Sequence, residues 1–279
     1  MISISDMTYS YPKKQPLFED MNLQFEQGKI YGLLGKNGMG KSTLLKLIGG
    51  YLFPKKGLVK LNGEEPQNRR PHLMEQIFFL SEEFNLPSLS IRQYLAAFSP
   101  FYSAFDNARF YNILDELGID ADVKLQQLSY GQKKKFIISF GLATGAKYLI
   151  FDEPTNGLDI PSKIDFRKII AEHITTNEQI VIISTHQIND LEHLLDAIAI
   201  IDEGKIVMIK EISEIEESVL FTTASTLSES DAVIYHQRIP GGYLMISENK
   251  DGQPSKIEIE AFFNAVTQNK TFFSKLLNR

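Results

Sequence analysis

The stretch Gly35-Lys36-Asn37-Gly38-Met39-Gly40-Lys41-Ser42-Thr43 constrains this chain more than any other. The apolar run Ile30 to Leu34 precedes it and Leu44-Leu45-Lys46-Leu47-Ile48 follows, so the segment reads as strand, loop, helix. The spacing G-x-x-x-x-G-K-[ST] is that of a phosphate cradle. Its glycines let backbone N–H groups close around a β-phosphate, Lys41 reaches the β/γ oxygens, and the Ser42 hydroxyl can ligate Mg²⁺. A helix beginning near Lys41 adds the positive end of its dipole.

A length of 279 residues allows one large domain or two small ones, and we expect one core with a small appendage. Hydrophobic residues make up 43% and charged residues 23%, which argues against disorder or a fibre. The net charge of -6 argues against a broad nucleic-acid or anionic-membrane surface, so no nucleic acid is expected as a partner. The basic run Lys133-Lys134-Lys135 reads as the solvated face of a helix. With no cysteine there is no disulfide framework or thiol nucleophile, which is compatible with a reducing cytoplasm. The Met-Ile-Ser-Ile-Ser-Asp start lacks the basic and apolar regions of a signal peptide. Apolar runs such as Ile180 to Ile183 and Ala197 to Ile201 fall far short of the roughly 20 residues that span a bilayer.

In chain order, residues 2 to 25 predict a β-rich entry, and Gln27-Gly28-Lys29 turns into the strand that feeds the glycine-rich loop. Gly49-Gly50 stops the following helix, Leu58 to Leu61 reads as a strand, and Asn62-Gly63 as a tight turn. Ile77 to Leu80 is a short buried strand. From Ser88 to Leu128 the periodicity becomes helical: Ser90 is an N-cap, and Ile113, Leu114 and Leu117 share a face before Gly118. The aromatics Phe98, Phe101, Tyr102, Phe105, Phe110 and Tyr111 read as core, with a partner-docking surface as the alternative. Leu128-Ser129-Tyr130-Gly131-Gln132 opens a helix to about Ala143. Tyr148 to Phe151 and Ile180 to Ile183 are apolar strands separated by a helix near Ser162 to Ile174. Ile198 to Ile209 reads as a hairpin, and the tail as a hairpin through Pro240-Gly241-Gly242 followed by a helix from Ile257 to Val266.

Alternating strands and helices imply a mainly parallel sheet covered by helices, with ligands beyond the carboxyl ends of the strands. The glycine-rich loop, Asp152-Glu153 and His186 each lie just past a predicted strand, so one crevice can collect all three. Paired carboxylates there suit divided labour, Asp152 acting through Mg²⁺ and Glu153 orienting or deprotonating the water that attacks a γ-phosphate.

At this point residues 1 to 215 resemble the ATPase subunits of ABC transporters. Gly35 to Ser42 is similar to Walker A, Leu128 to Gln132 to the LSGGQ signature, Leu149 to Glu153 to Walker B, Asn156-Gly157-Leu158-Asp159 to the D-loop, and His186 to the switch histidine. Tyr11, with Tyr9 as alternative, falls where the family stacks an aromatic on adenine. The resemblance implies an α/β P-loop NTPase fold: a mainly parallel sheet, an N-terminal antiparallel part, an inserted helical subdomain at about 82–145, and a small α+β extension at 216–279. It implies ATP and Mg²⁺ as cofactors and ATP hydrolysis by Glu153, His186 and Lys41. ATP would be held by Tyr11, the loop from Gly35 through Lys36, Asn37, Gly38, Met39, Gly40, Lys41 and Ser42 to Thr43, and Ser129, Gly131, Gln132 and Asp159. Ser42, Asp152 and Glu82 would hold the metal.

It further implies a head-to-tail dimer, with itself or another ABC ATPase, sandwiching two ATP molecules between Walker A and the opposite signature. Such a subunit works in the cytoplasm, on the inner face of the cell membrane, and powers transport through a permease on a separate chain. Export is the expected direction, because Ile257 to Phe263 is similar to a tail segment of several exporter ATPases. A soluble ABC ATPase of an assembly such as iron–sulfur cluster building, or a nucleotide-sensing adaptor, is the alternative. Two departures stand out: Tyr130 replaces the middle signature glycine, and Glu82 stands where the Q-loop has glutamine, with Glu83 holding that place if the register shifts by one.

Overall fold

The computed structural model describes residues 1–174, 178–191, 193–227 and 233–277. The chain enters through β1 (Ile2–Tyr9) and β2 (Phe18–Phe25), then runs along β3 (Lys29–Leu34) into α1 (Lys41–Ile48) and β4 (Lys56–Leu61). β1 sits between β2 and β4 in an antiparallel sheet. A short helix, α2 (Pro71–Met74), leads to β5 (Ile77–Leu80), after which α3 (Ile91–Phe98), α4 (Asn107–Glu116) and α5 (Tyr130–Ala143) form the helical insertion. As its sequence predicts, Ser90 caps α3, in a reciprocal pair with Gln93.

The second half alternates β6 (Tyr148–Asp152), α6 (Ile160–His173), β7 (Ile180–Thr185), β8 (Ala197–Asp202) and β9 (Lys205–Glu211). The central sheet has the order β5-β6-β7-β3-β8-β9, parallel except for the last strand. Its strands bury both faces by simple alternation. Leu149, Phe151, Val181, Ile183, Ile198 and Ile200 point to the helical side, and Tyr148, Ile150, Ile180, Ile182, Ala197 and Ala199 to the side of the N-terminal sheet and α1.

Beyond β9 come α7 (Ile212–Ser218), β10 (Val219–Ala224), β11 (Val233–Ile239) and β12 (Gly242–Glu248), then α8 (Ile259–Gln268) and α9 (Lys270–Leu277). The predicted hairpin is the antiparallel β11–β12 pair. Ile215, Val219, Ile246, Phe262 and Phe273 continue the same apolar cluster that lies under the helical side of the central sheet. Lys270 is anchored to Asp202 at 2.5 Å.

Two expectations change. Of the six aromatics read as core, Phe110 is fully buried and Phe98, Tyr102, Phe105 and Tyr111 are half-buried against the same cluster, but Phe101, at the end of the 3₁₀ turn Ser99–Phe101, is 68% exposed. The basic run is not a solvated face. Lys134 is wholly buried against the turn after β6, donating to the Glu153 and Asn156 carbonyls, and Lys135 pairs with Asp165 of α6 at 2.5 Å.

Candidate nucleotide site

Strand register assembles the site. Leu34 pairs with Thr185 and Asp152 with Ser184, so the chain segments beginning at Gly35, Glu153 and His186 leave the sheet side by side. Gly38 and Gly40 take left-handed backbone angles, φ 83° and 100°. A Cβ at Gly40 would stand 2.7 Å from the Phe18 ring, so this position needs glycine for space as well as for conformation. Gly40 caps α1 without a side chain, leaving N–H groups of the first turn available to an anion.

In front of this loop lies a cavity of about 570 Å³. Tyr11, Lys36, Asn37, Gly38, Gly40, Lys41, Ser42, Thr43, Glu82, Glu153 and His186 all line it. The Tyr11 hydroxyl is 2.9 Å from Thr43 Oγ1, whereas Tyr9, its alternative, is buried beneath it in edge-to-face contact. Lys41 Nζ donates to the Gly35 carbonyl at 2.7 Å and stands 3.3 Å from Glu153 Oε1.

Glu153 is held on every side. Its backbone is left-handed at φ 48°, an unfavourable state for a residue with a side chain. Its N–H donates to Ser184 Oγ at 3.0 Å. Its second carboxylate oxygen, Oε2, accepts from the His186 N–H at 3.3 Å and lies 2.9 Å from His186 Nδ1. Asp152, 2% exposed, accepts from Ser184 Oγ at 2.6 Å. Burial pushes its carboxyl above the usual carboxylate range, hydrogen bonds from Ser184 and Ser42 oppose the shift, and the charges of Glu153 and Glu82 add to it. Ser42, Asp152 and Glu82 all offer hard oxygens, and the carboxylates of Glu82 and Glu153 repel that of Asp152. A divalent cation such as Mg²⁺ fits that set and would relieve its repulsion.

The remaining expected residues lie elsewhere. Gly35 stands behind the loop, where a Cβ would be 2.7 Å from the Ile201 carbonyl. Met39 turns its sulfur to the Glu203 N–H at 3.3 Å and does not line the cavity. Ser129 caps α5 in a reciprocal pair with Gln132, whose side-chain oxygen accepts from the Ser129 N–H at 3.0 Å. Gly131 packs near Ser162, and Asp159 caps α6 through the Ser162 N–H at 2.9 Å. These four signature and D-loop residues do not line the cavity of their own chain.

The ABC transporter family matches residues 18–156. The lantibiotic transport ATP-binding protein SrtF of Streptococcus pyogenes is 32% identical over 228 residues, which are 76% of this chain and 91% of the relative. The chain belongs to the ABC transporter family. Among solved structures, cbiO1 from Clostridium perfringens, part of the ABC transporter complex cbiONQ, matches with a TM-score of 0.65 and 27% identity over 75% of this chain and 88% of that one. The ATP-binding cassette MJ0796, in a dimeric post-hydrolysis state bound to ADP and Pi, shares the fold with a TM-score of 0.65 at 22% identity, over 76% of this chain and 98% of that one. As an ABC ATP-binding subunit the chain binds and hydrolyses ATP to drive transport. Among the described residues no helix is long and apolar enough to cross a membrane.

Two residues of this ABC site, Ser184 and Lys134, escaped sequence reasoning, and Asn156 was placed in the D-loop without a partner. Ser184 ties the two carboxylate positions together, Asn156 Nδ2 donates to Glu82 Oε1 at 2.7 Å, and Lys134 donates to the carbonyls of Glu153 and Asn156. Ser184 carried a faint signal as a polar residue at the end of a β-branched strand; Lys134 carried none, since its partners lie about twenty residues away.

Proposed function

We propose that the chain is the ATP-hydrolysing subunit of an exporter, peripheral on the cytoplasmic face of the membrane and coupled to a permease carried on another chain. In this reading residues 1–215 are the ATPase unit and 216–279 an extension. The observation that carries the mechanism is the Glu153 carboxylate held between Lys41 and His186 at the wall of the cavity. ATP would lay its adenine against Tyr11 and its phosphates in the Gly35–Thr43 loop. Lys41 would then exchange Glu153 for β/γ oxygens, freeing a carboxylate oxygen to orient and deprotonate water while His186 holds the other. Ser42, Asp152 and Glu82 would hold Mg²⁺, whose charge offsets that developing on the phosphates.

The signature residues fit the same reading through a second ATPase chain. Ser129 and the N-terminal end of α5 face outward, and Tyr130, Ile160 and Ile164 form exposed apolar surface nearby at 49%, 76% and 50%. That surface suits the head-to-tail pairing in which each signature closes the partner's ATP site. Export is supported by the tail segment at Ile257 to Phe263, which is similar to that of several exporter ATPases. The permease is expected over the hollow whose aromatic lining includes Tyr51, Phe79, Phe84, Phe98 and Phe101. Gentle isolation from membranes tests the whole assignment: a multi-span partner that stimulates ATP hydrolysis is expected, and exclusively soluble partners would overturn it.

A further inference from the structure

The two departures from the family pattern, Glu82 and Tyr130, converge on one buried ammonium. Lys134 Nζ donates to the Asn156 carbonyl at 2.7 Å and to the Glu153 carbonyl at 3.1 Å, and it lies 5.3 Å from the centre of the Tyr130 ring. Tyr130 also covers the turn itself, standing where a Cβ on Gly157 would be 3.1 Å away. From the other side Glu82 accepts from Asn156 Nδ2 at 2.7 Å. Asn156 therefore gives its amide to the anion and its carbonyl to the cation. An ammonium without exposure is costly unless its donors are satisfied and its charge is answered. Burial lowers Lys134 to about 8, and the nearby charges of Glu82 and Glu153 oppose that shift.

We propose that Lys134 is a positioning residue for ATP hydrolysis: it pins the strained turn that carries Glu153, with Glu82 and Tyr130 as the partners that make a cation tolerable there. The proposal rests on Glu153 being the group that acts on water. The turn needs such a clamp, because Glu153 sits at φ 48° and its carbonyl already accepts from the Asn156 N–H at 3.2 Å. Lys134 does not line the nucleotide cavity, so its effect is on the aim of the Glu153 carboxylate and not on ATP binding. The clamp also joins three places that must act together: the loop after β5, the turn after β6 and the signature helix α5.

Lys134→Met removes donors and charge, and Lys134→Gln keeps an amide donor while removing the charge. Steady-state ATP hydrolysis, ATP affinity by fluorescent-nucleotide titration, and thermal unfolding are measured on both. The expected result for Lys134→Met is a kcat about 10- to 100-fold lower, with KM and ATP affinity within about 2-fold of the parent. Lys134→Gln is expected to recover part of that loss, and it decides the matter if the Met variant does not fold. A folded variant with the parent's kcat, or one whose ATP affinity falls in step with kcat, would overturn the positioning role. In the same assay a Glu153→Gln chain with full turnover would overturn the reading beneath it, a failure distinguishable from that of Lys134 alone.

Discussion

Lys41 Nζ lies 3.3 Å from Glu153 Oε1, with both side chains 6% exposed. The cation that is to meet the phosphates and the carboxylate that is to act on water neutralise each other inside the protein. Binding of a triphosphate would separate them, so the carboxylate becomes available when the substrate is in place.

Lys41→Ala is expected to weaken ATP binding by at least about 100-fold, because it removes a charge-assisted contact to the β/γ oxygens and leaves Glu153 facing the phosphates without its cation. Nucleotide titration checks this. Equal affinity in variant and parent would remove the assignment of the Gly35–Thr43 loop.

Glu153→Gln is expected to bind ATP and to lose about 10²- to 10³-fold in turnover, since the residue acts after binding. With hydrolysis blocked, the variant should form an ATP-dependent dimer visible in sedimentation. A chain that stays monomeric at high ATP would count against self-pairing and favour a heterodimer.

Much of this site was legible in the sequence because its parts are short and local. A phosphate loop needs fixed spacing between Gly35, Gly40 and Lys41, and a parallel sheet forces Asp152-Glu153 and His186 to the same edge as that loop. The helix caps at Ser90 and Ser129 were legible for the same reason, since each bond spans three residues. Lys134 was not, because burial is decided by what packs around α5, and a run of three lysines reads as solvated by default. Likewise nothing local told Phe101 from Phe110, nor showed that Phe262 and Phe273 would share the core of the ATPase unit.

Glu82→Gln is expected to raise the Mg²⁺ concentration for half-maximal ATP hydrolysis about 3- to 10-fold, because a charged hard ligand is replaced by a neutral one. The amide oxygen of glutamine can still accept from Asn156, so that hydrogen bond is kept while the charge facing Lys134 is lost. An Mg²⁺ titration unchanged in the Gln variants at both Glu82 and Glu83 would remove the metal role from this segment.

The buried ammonium also predicts how stability varies with pH. Lys134 titrates at about 8 in the folded chain against 10.5 as an ordinary lysine, so between these values the unfolded chain holds the extra proton. Unfolding then takes up a proton, and the stability of the folded state must rise with pH, by up to about 1.4 kcal/mol per pH unit from this group. Below about pH 8 both states carry the proton and the slope vanishes. The other ionisable groups facing Lys134, which are Glu82 and Glu153 across the turn and Tyr130 on its own helix, are present in both parent and Lys134→Met. Denaturant unfolding at pH 7 to 10 should therefore show the parent gaining on Lys134→Met above about pH 8. A constant difference across that range would mean that Lys134 keeps an ordinary lysine's proton affinity, and that water or a closer anion reaches the ammonium beneath Tyr130.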